Sequence, residues 1–248
     1  MNRRIVALGV AVALAMGVTV AARQGGQGTE PVVPVHEEPR HKKVFEAGST
    51  FILDVQIPPG DTTLFHTHST AILYVSISRS QTRSQVLGRE WSGGSASTPP
   101  TAAARPAAAP ERLVSSIPGY AAQPQTHRVN NVGTSLFRLI AVSNGSAGGA
   151  GVDDETPGTP GTVELVNDFF RAYRVSLAAG AATASHQHKT PVAVVQATSG
   201  HTRSEGGATG EITDAGKFVW IPAGTSHALR NAGASGVEII EVEVRQPR

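Results

Sequence analysis

Residues 60–68 read Gly-Asp-Thr-Thr-Leu-Phe-His-Thr-His, and residues 180–188 read Gly-Ala-Ala-Thr-Ala-Ser-His-Gln-His. The match extends beyond these stretches: Gly60, Thr63, His66, His68, Thr70 and Val75 fall on Gly180, Thr183, His186, His188, Thr190 and Val195 at an offset of 120. Thr82-Arg83-Ser84 falls on Thr202-Arg203-Ser204 at the same offset. Further along, the offset becomes 100, and His127, Asn131, Gly133, Ser135 and Ile140 fall on His227, Asn231, Gly233, Ser235 and Ile240. A chain that matches itself in this way is a duplication. The change of offset by 20 residues is extra sequence in the first copy, supplied by residues 91–111, WSGGSASTPPTAAARPAAAPE. That stretch is Ser/Ala/Pro-rich and cannot build a core, so it reads as a solvated loop insertion.

Each copy carries short apolar runs separated by turn residues. They cover 50–57, 62–68, 71–78 and 136–142 in the first copy, and 170–177, 183–188, 192–198, 218–221 and 237–244 in the second. With 27 Gly, 16 Pro and only 16 % charged residues in 248, the composition suits many short strands and suits a helical bundle poorly. The fold class expected is all-β, with a small antiparallel barrel or jelly roll in each copy. Residues 45–145 make the first domain, 146–160 a Gly/Pro-rich linker and 161–248 the second domain.

Ahead of them, Arg3 and Arg4 precede an apolar run from Ile5 to Val20 and small residues before Arg23, the layout of a signal peptide over 1–22. At 16 residues the run is short for a membrane span. The expected location is secreted or periplasmic in a bacterium, with an uncleaved N-terminal anchor as the alternative. Residues 23–44 read as a flexible tether.

The net charge of +2 vanishes once Arg3 and Arg4 leave with the leader. A neutral body without a Lys/Arg cluster argues against nucleic acid, or any membrane beyond the leader, as a partner. There is no cysteine, which excludes disulfides, thiol catalysis and thiolate metal sites.

Six of the nine histidines occupy equivalent positions: His66, His68 and His127, and His186, His188 and His227. Residues i and i+2 of a strand face the same side, so each His-x-His pair can reach one cation, with a third His arriving from a neighbouring strand. Gly60 and Gly180 supply a tight turn before the pair. Asn131 and Asn231 serve a turn or support the ligands from behind. His36 and His41 fall in the tether and His201 lacks a counterpart, so all three are read as surface residues. Ligation needs neutral imidazole, so metal occupancy is expected to fall as pH drops through about 6.5.

These stretches resemble the cupin superfamily, specifically its two-domain bicupins. The first family motif is Gly, five residues, His-x-His, three or four residues, Glu, and both copies match its opening half. The second motif is Gly, five residues, Pro-x-Gly, two residues, His, three residues, Asn, and residues 216–231, GKFVWIPAGTSHALRN, match it in full. The first copy keeps only His127 and Asn131 of it, with Ala122 and Pro124 where Pro and Gly belong. The resemblance implies two tandem cupin-type jelly-roll barrels.

One departure is shared by both copies. Where the family's Glu belongs stand Ile72 or Leu73, and Val192 or Ala193. This counts against decarboxylases and oxidases of the oxalate type, whose metal site resembles three His plus Glu. Three-His cupins that cleave carbon–carbon or carbon–sulfur substrates with dioxygen use iron.

Three imidazoles suit a divalent ion with open positions for an anionic oxygen ligand, and iron, manganese, zinc and nickel all remain open. The expected function is a secreted metal-dependent oxygenase or lyase acting on a small organic anion. Its alternative is a non-catalytic module that binds a metal or small ligand, as a monomer or homo-oligomer. A scaffold without any ligand would leave the six histidines without a purpose. Arg83 and Arg203 are candidate partners for a substrate carboxylate. Tyr74 and Glu205 are candidate acid/base groups, the strand phase placing Tyr74 on the face of His66 and His68.

Overall fold

A computed structural model describes residues 30–93, 112–149 and 158–247. The leader, most of the insertion and the middle of the linker lie outside them. The first half contains β1 (Val32–Pro34), β2 (His41–Ala47), β3 (Thr50–Ile57), β4 (Phe65–His68), β5 (Ala71–Ser78), β6 (Thr82–Val86), β7 (Trp91–Gly93), β8 (Val114–Ile117), β9 (Gln125–Asn131) and β10 (Phe137–Asn144). The second contains β11 (Thr162–Val166), β12 (Phe170–Leu177), β13 (Val192–Gln196), β14 (Thr202–Gly206), β15 (Gly210–Ile212), β16 (Phe218–Ile221), β17 (His227–Asn231) and β18 (Val237–Val244). Each half has two sheets: β1-β4-β9-β6-β7 and β2-β3-β10-β5-β8 in the first, β11-β12-β18-β13-β16 and β15-β14-β17 in the second. The fold is all-β, as the short apolar runs required.

The period of two explains how the sheet of β3, β10 and β5 and the sheet of β12, β18 and β13 are each buried on both faces. Leu53, Val55, Ile57, Ile72 and Ala141 point one way and form the core of the first half. Val175, Leu177, Val192, Val194 and Ile239 do the same in the second. The alternate residues of the same strands meet each other across the halves: Leu73, Val75, Ile140 and Val142 join Phe170, Ala172, Ala193, Val195, Ile240 and Val242 in one cluster. Three apolar layers result, one inside each half and one between the halves.

The tether expected over 23–44 is corrected in its described part. From Val32 the chain adds β1 as a parallel neighbour of β4, pairing Val32 with Phe65 and Val33 with His66. It then passes through a 3-10 turn at Val35–Glu37 into β2, paired with β3. Its Gly/Pro/Glu composition suggested a solvated linker, but pairing to a strand some 30 residues away overrides local preference.

Candidate metal centres

Gly60 and Gly180 adopt φ of +81° and +74°, a backbone conformation that other residues rarely take. Their N–H groups donate to the carbonyls of Asn131 and Asn231 at 2.9 and 3.1 Å. Both asparagines are fully buried. Asn131 Nδ2 donates to the Ile57 and Ser135 carbonyls, and its Oδ1 accepts from Gly133 N. Asn231 repeats this with Leu177, Ser235 and Gly233. The asparagines therefore staple a turn and do not touch the histidines. The stapled turn sets the strand that follows, bringing His66 opposite His127 and His186 opposite His227.

In the second half, His186, His188, His227 and Glu241 each offer one ligand atom, all within 4.8 Å of one another. Glu241 Oε1 lies 3.1 Å from His186 Nε2 and 3.0 Å from His227 Nε2, and Oε2 lies 3.7 Å from His188 Nε2. The other nitrogen of each ring is already engaged. Nδ1 of His186 donates to the Ala184 carbonyl at 3.0 Å, and that of His227 to Thr225 at 3.3 Å. His188 Nδ1 donates to Glu243 at 2.7 Å. These bonds orient all three Nε2 atoms toward Glu241. Two imidazole lone pairs facing one carboxylate oxygen repel unless a proton or a cation lies between them.

Metal–nitrogen bonds of about 2.0–2.1 Å, at angles between a right angle and the tetrahedral value, place neighbouring ligand atoms about 3.0–3.5 Å apart. The spacings from Glu241 to His186 and His227 fall in that range, and the 3.7 Å to His188 lies just beyond it. His188 Nε2 and Glu241 Oε2 are also buried without a hydrogen-bond partner, the condition a bound cation would relieve.

Glu241 corrects the expectation of a site without a carboxylate. The acid comes from β18, on the opposite sheet, and not from the position after the His pair. Burial works against its ionised form, but the three histidines outweigh it and hold its carboxyl well below the usual range. Burial likewise disfavours charge on His188, yet Glu241 and Glu243 dominate and raise it to about 9. A sequence signal existed. In residues 237–244, VEIIEVEV, Glu241 and Glu243 share a phase with the buried Ile239, which places both carboxylates inside.

The first half gathers His66, His68 and His127 within the same 4.8 Å limit, with His68 Nε2 and His127 Nε2 3.1 Å apart. His66 Nδ1 donates to the Leu64 carbonyl at 3.0 Å, leaving a buried and unpartnered Nε2, and His68 Nδ1 is likewise unpartnered. At the positions equivalent to Glu241 and Glu243 stand Ala141 and Ser143, and among the described residues no carboxylate joins this triplet. Burial first, helped by neighbouring imidazoles, lowers His66 to about 3, His68 to about 2 and His127 to about 4.

His41, expected at the surface, is buried, its ring centroid 4.4 Å from that of His66. It bonds at 2.6 Å to the buried Glu38, which also accepts from the Leu64 and Arg40 amides. The N-terminal segment thus braces the strand that carries His66.

The remaining candidates lie elsewhere. Arg203 is exposed and pairs with Glu211, and Glu205 is half-buried and pairs with Arg230. Arg83 bonds Asn130 and covers the Trp91 ring. On β14 it is Thr202 and Ser204, flanking Arg203, that point inward and are buried. The period of two therefore turns the Arg of each Thr-Arg-Ser outward. Tyr74 does face the interior, in the cluster of Ile72 and Ala141, and burial raises its phenol far above the ordinary value. The phenol beside the triplet is Tyr120, whose ring stacks on His68 at 4.7 Å. His36 and His201 are partly exposed, His201 pairing with Glu211.

No protein-family model and no curated protein sequence matches the chain. Among solved structures, AerE from Microcystis aeruginosa superposes with a TM-score of 0.54 at 11 % identity, over 82 % of this chain and 90 % of that one. An oxalate decarboxylase does so with a TM-score of 0.53 at 14 % identity, over 81 % and 70 %. A cupin 2 conserved barrel domain protein from Leptotrichia buccalis gives 0.47 at 11 % identity, over 82 % and 87 %. At such identities the likeness is one of fold.

Proposed function

Because the chain has the cupin fold, we propose that it is a metal-dependent cupin acting as an oxygenase or lyase on a small organic anion. The cation of the second half is held by His186, His188, His227 and Glu241, and that of the first half by His66, His68 and His127. The observation that carries this is the convergence of three Nδ1-anchored imidazoles on one buried carboxylate. Neutral imidazole nitrogens with a carboxylate suit divalent iron, manganese, zinc or nickel. When bound, such an ion supplies a Lewis acid that polarises the oxygens of an anionic ligand.

The chain's own residues prepare that chemistry. Backbone carbonyls and Glu243 fix the ring orientations, and the apolar layer of Val175, Val192 and Ile239 excludes water from one side. Arg171, 3.6 Å from Glu243, balances charge behind His188. With Glu241 present, the objection to oxalate-type chemistry loses its premise in the second half. Short dicarboxylates, by the likeness to an oxalate decarboxylase, therefore belong in the substrate panel.

A non-catalytic metal-binding module is the second reading. The position of Arg203 and Glu205 on the outer surface favours it, since neither can serve a reaction at the centre. The leader supports export, the protein working in the periplasm or outside the cell; N-terminal sequencing of the exported protein tests this.

Elemental analysis of the isolated protein tests the metal assignment. Wild type and His36→Ala are expected to retain the same metal, while His186→Ala and Glu241→Ala lose the equivalent held by the second half. Equal metal in all four would defeat the assignment. Substrate consumption by the loaded protein, assayed with short carboxylates with and without dioxygen, separates enzyme from module.

A further inference from the structure

Ala141 and Glu241 occupy one and the same register position in the two halves. Ala141 stands opposite Leu53 and Tyr74 on its neighbouring strands, and Glu241 opposite Tyr173 and Val194, the residues 120 further along. The first half therefore carries a methyl group where the second carries the carboxylate that three imidazoles face. Ser143 replaces Glu243 in the same way. Its hydroxyl is hydrogen-bonded to that of Thr70 at 2.6 Å, and His68 Nδ1 is left buried without a partner. His66 and His68 are nonetheless buried, and His68 Nε2 lies 3.1 Å from His127 Nε2. Among the described residues the one buried carboxylate of this half, Glu38, is engaged by His41 and by the Arg40 and Leu64 amides. A divalent cation on this triplet would keep its full charge in a site shut off from water, which is costly unless a counter-charge joins it.

We propose that the first centre takes its carboxylate from solution, so that a small monocarboxylate and the cation bind there together. This rests on the metal assignment made above and adds to it a difference between the halves. The group by which glutamate exceeds alanine is CH2–CO2−, the skeleton of acetate. Tyr74 is bulkier than Val194, its counterpart, so the acids that suit the site best are those of one or two carbons. By linkage, the carboxylate tightens cation binding and the cation tightens carboxylate binding by the same factor. In the second half Glu241 already supplies the charge, and a carboxylate in solution adds little.

Zinc titrations against a metal-binding dye, at neutral pH and constant ionic strength with acetate, formate or neutral acetamide, test it. His186→Ala leaves the first half to be read, and His66→Ala the second. Acetate or formate is expected to tighten zinc in the first half by about tenfold or more, and acetamide to leave it unchanged. None of the three should alter the second half. Glu241→Ala combined with His66→Ala moves the dependence across: the second half should bind zinc weakly alone and recover it with acetate. Ala141→Glu combined with His186→Ala should bind zinc tightly with no acetate added. Zinc held by the first half equally with and without carboxylate, or tightened equally in both halves, would overturn the proposal and leave the metal assignment intact. Zinc retained by the double variant His66→Ala/His186→Ala, or no zinc bound under any condition, would overturn both.

Discussion

Glu243 touches no cation site directly, yet its 2.7 Å bond to His188 decides which imidazole nitrogen faces Glu241. Such supporting partners are worth about 10–100-fold in metal affinity. Glu243→Ala should weaken binding in the second half by that factor, with Glu243→Gln, which keeps an acceptor oxygen, recovering part of it. Equal affinity of wild type and Glu243→Ala in a competition assay against a metal-binding dye would contradict this.

The pH behaviour follows from the same groups and differs from the single fall near 6.5 expected from the sequence. In the metal-free second half His188 titrates near 9, above neutral pH, so it carries a proton that must leave before its nitrogen can ligate. In the first half His66, His68 and His127 titrate at about 3, 2 and 4, and are already neutral. Metal binding at pH 7 should therefore release more protons in the second half, the one on His188 among them, than in the first, which holds almost none. Titrations in buffers of different ionisation enthalpy read this, with His66→Ala and His186→Ala isolating each half. Equal release from both halves would count against the assignment.

At the level of elements, the N-terminal segment shows how pairing overrides composition. Residues 30–44 carry the Pro and Glu content of a linker, yet β1 lies along β4, and Glu38 anchors His41 and the Leu64 amide. Removing the Glu38 carboxylate leaves buried partners unsatisfied, at about 1–3 kcal/mol. Glu38→Ala is thus expected to lower the thermal midpoint by several degrees, while Glu37→Ala, more than half exposed, leaves it unchanged. A thermal melt giving the same midpoint for both variants would show that the segment does not brace β4. The strands at 50–57, 71–78, 170–177, 218–221 and 237–244 were legible because their apolar runs are long and bounded by turn residues. The Thr-Arg-Ser strands misled because a single Arg drew attention, when its neighbours carried the phase.

For the whole molecule, the layer between the halves fixes cooperativity. Phe170 is fully buried there, among residues of both halves. Truncating a buried Phe costs about 3–5 kcal/mol. Phe170→Ala should shift a single calorimetric transition downward, and both metal sites should be lost within that same transition. Two separate transitions, with only one displaced, would mean the halves fold independently.

The duplication, the all-β class and the two histidine triplets are properties of residue type and spacing, and the chain's order of amino acids determined them alone. Local rules reach that far because a strand's period and a turn's glycine act over a few residues. The carboxylate of the second centre, its absence from the first and the burial of His41 were decided by tertiary structure. Each depends on which strand lies opposite which between the two sheets, and residues from 14 to 55 apart meet there only through long-range register.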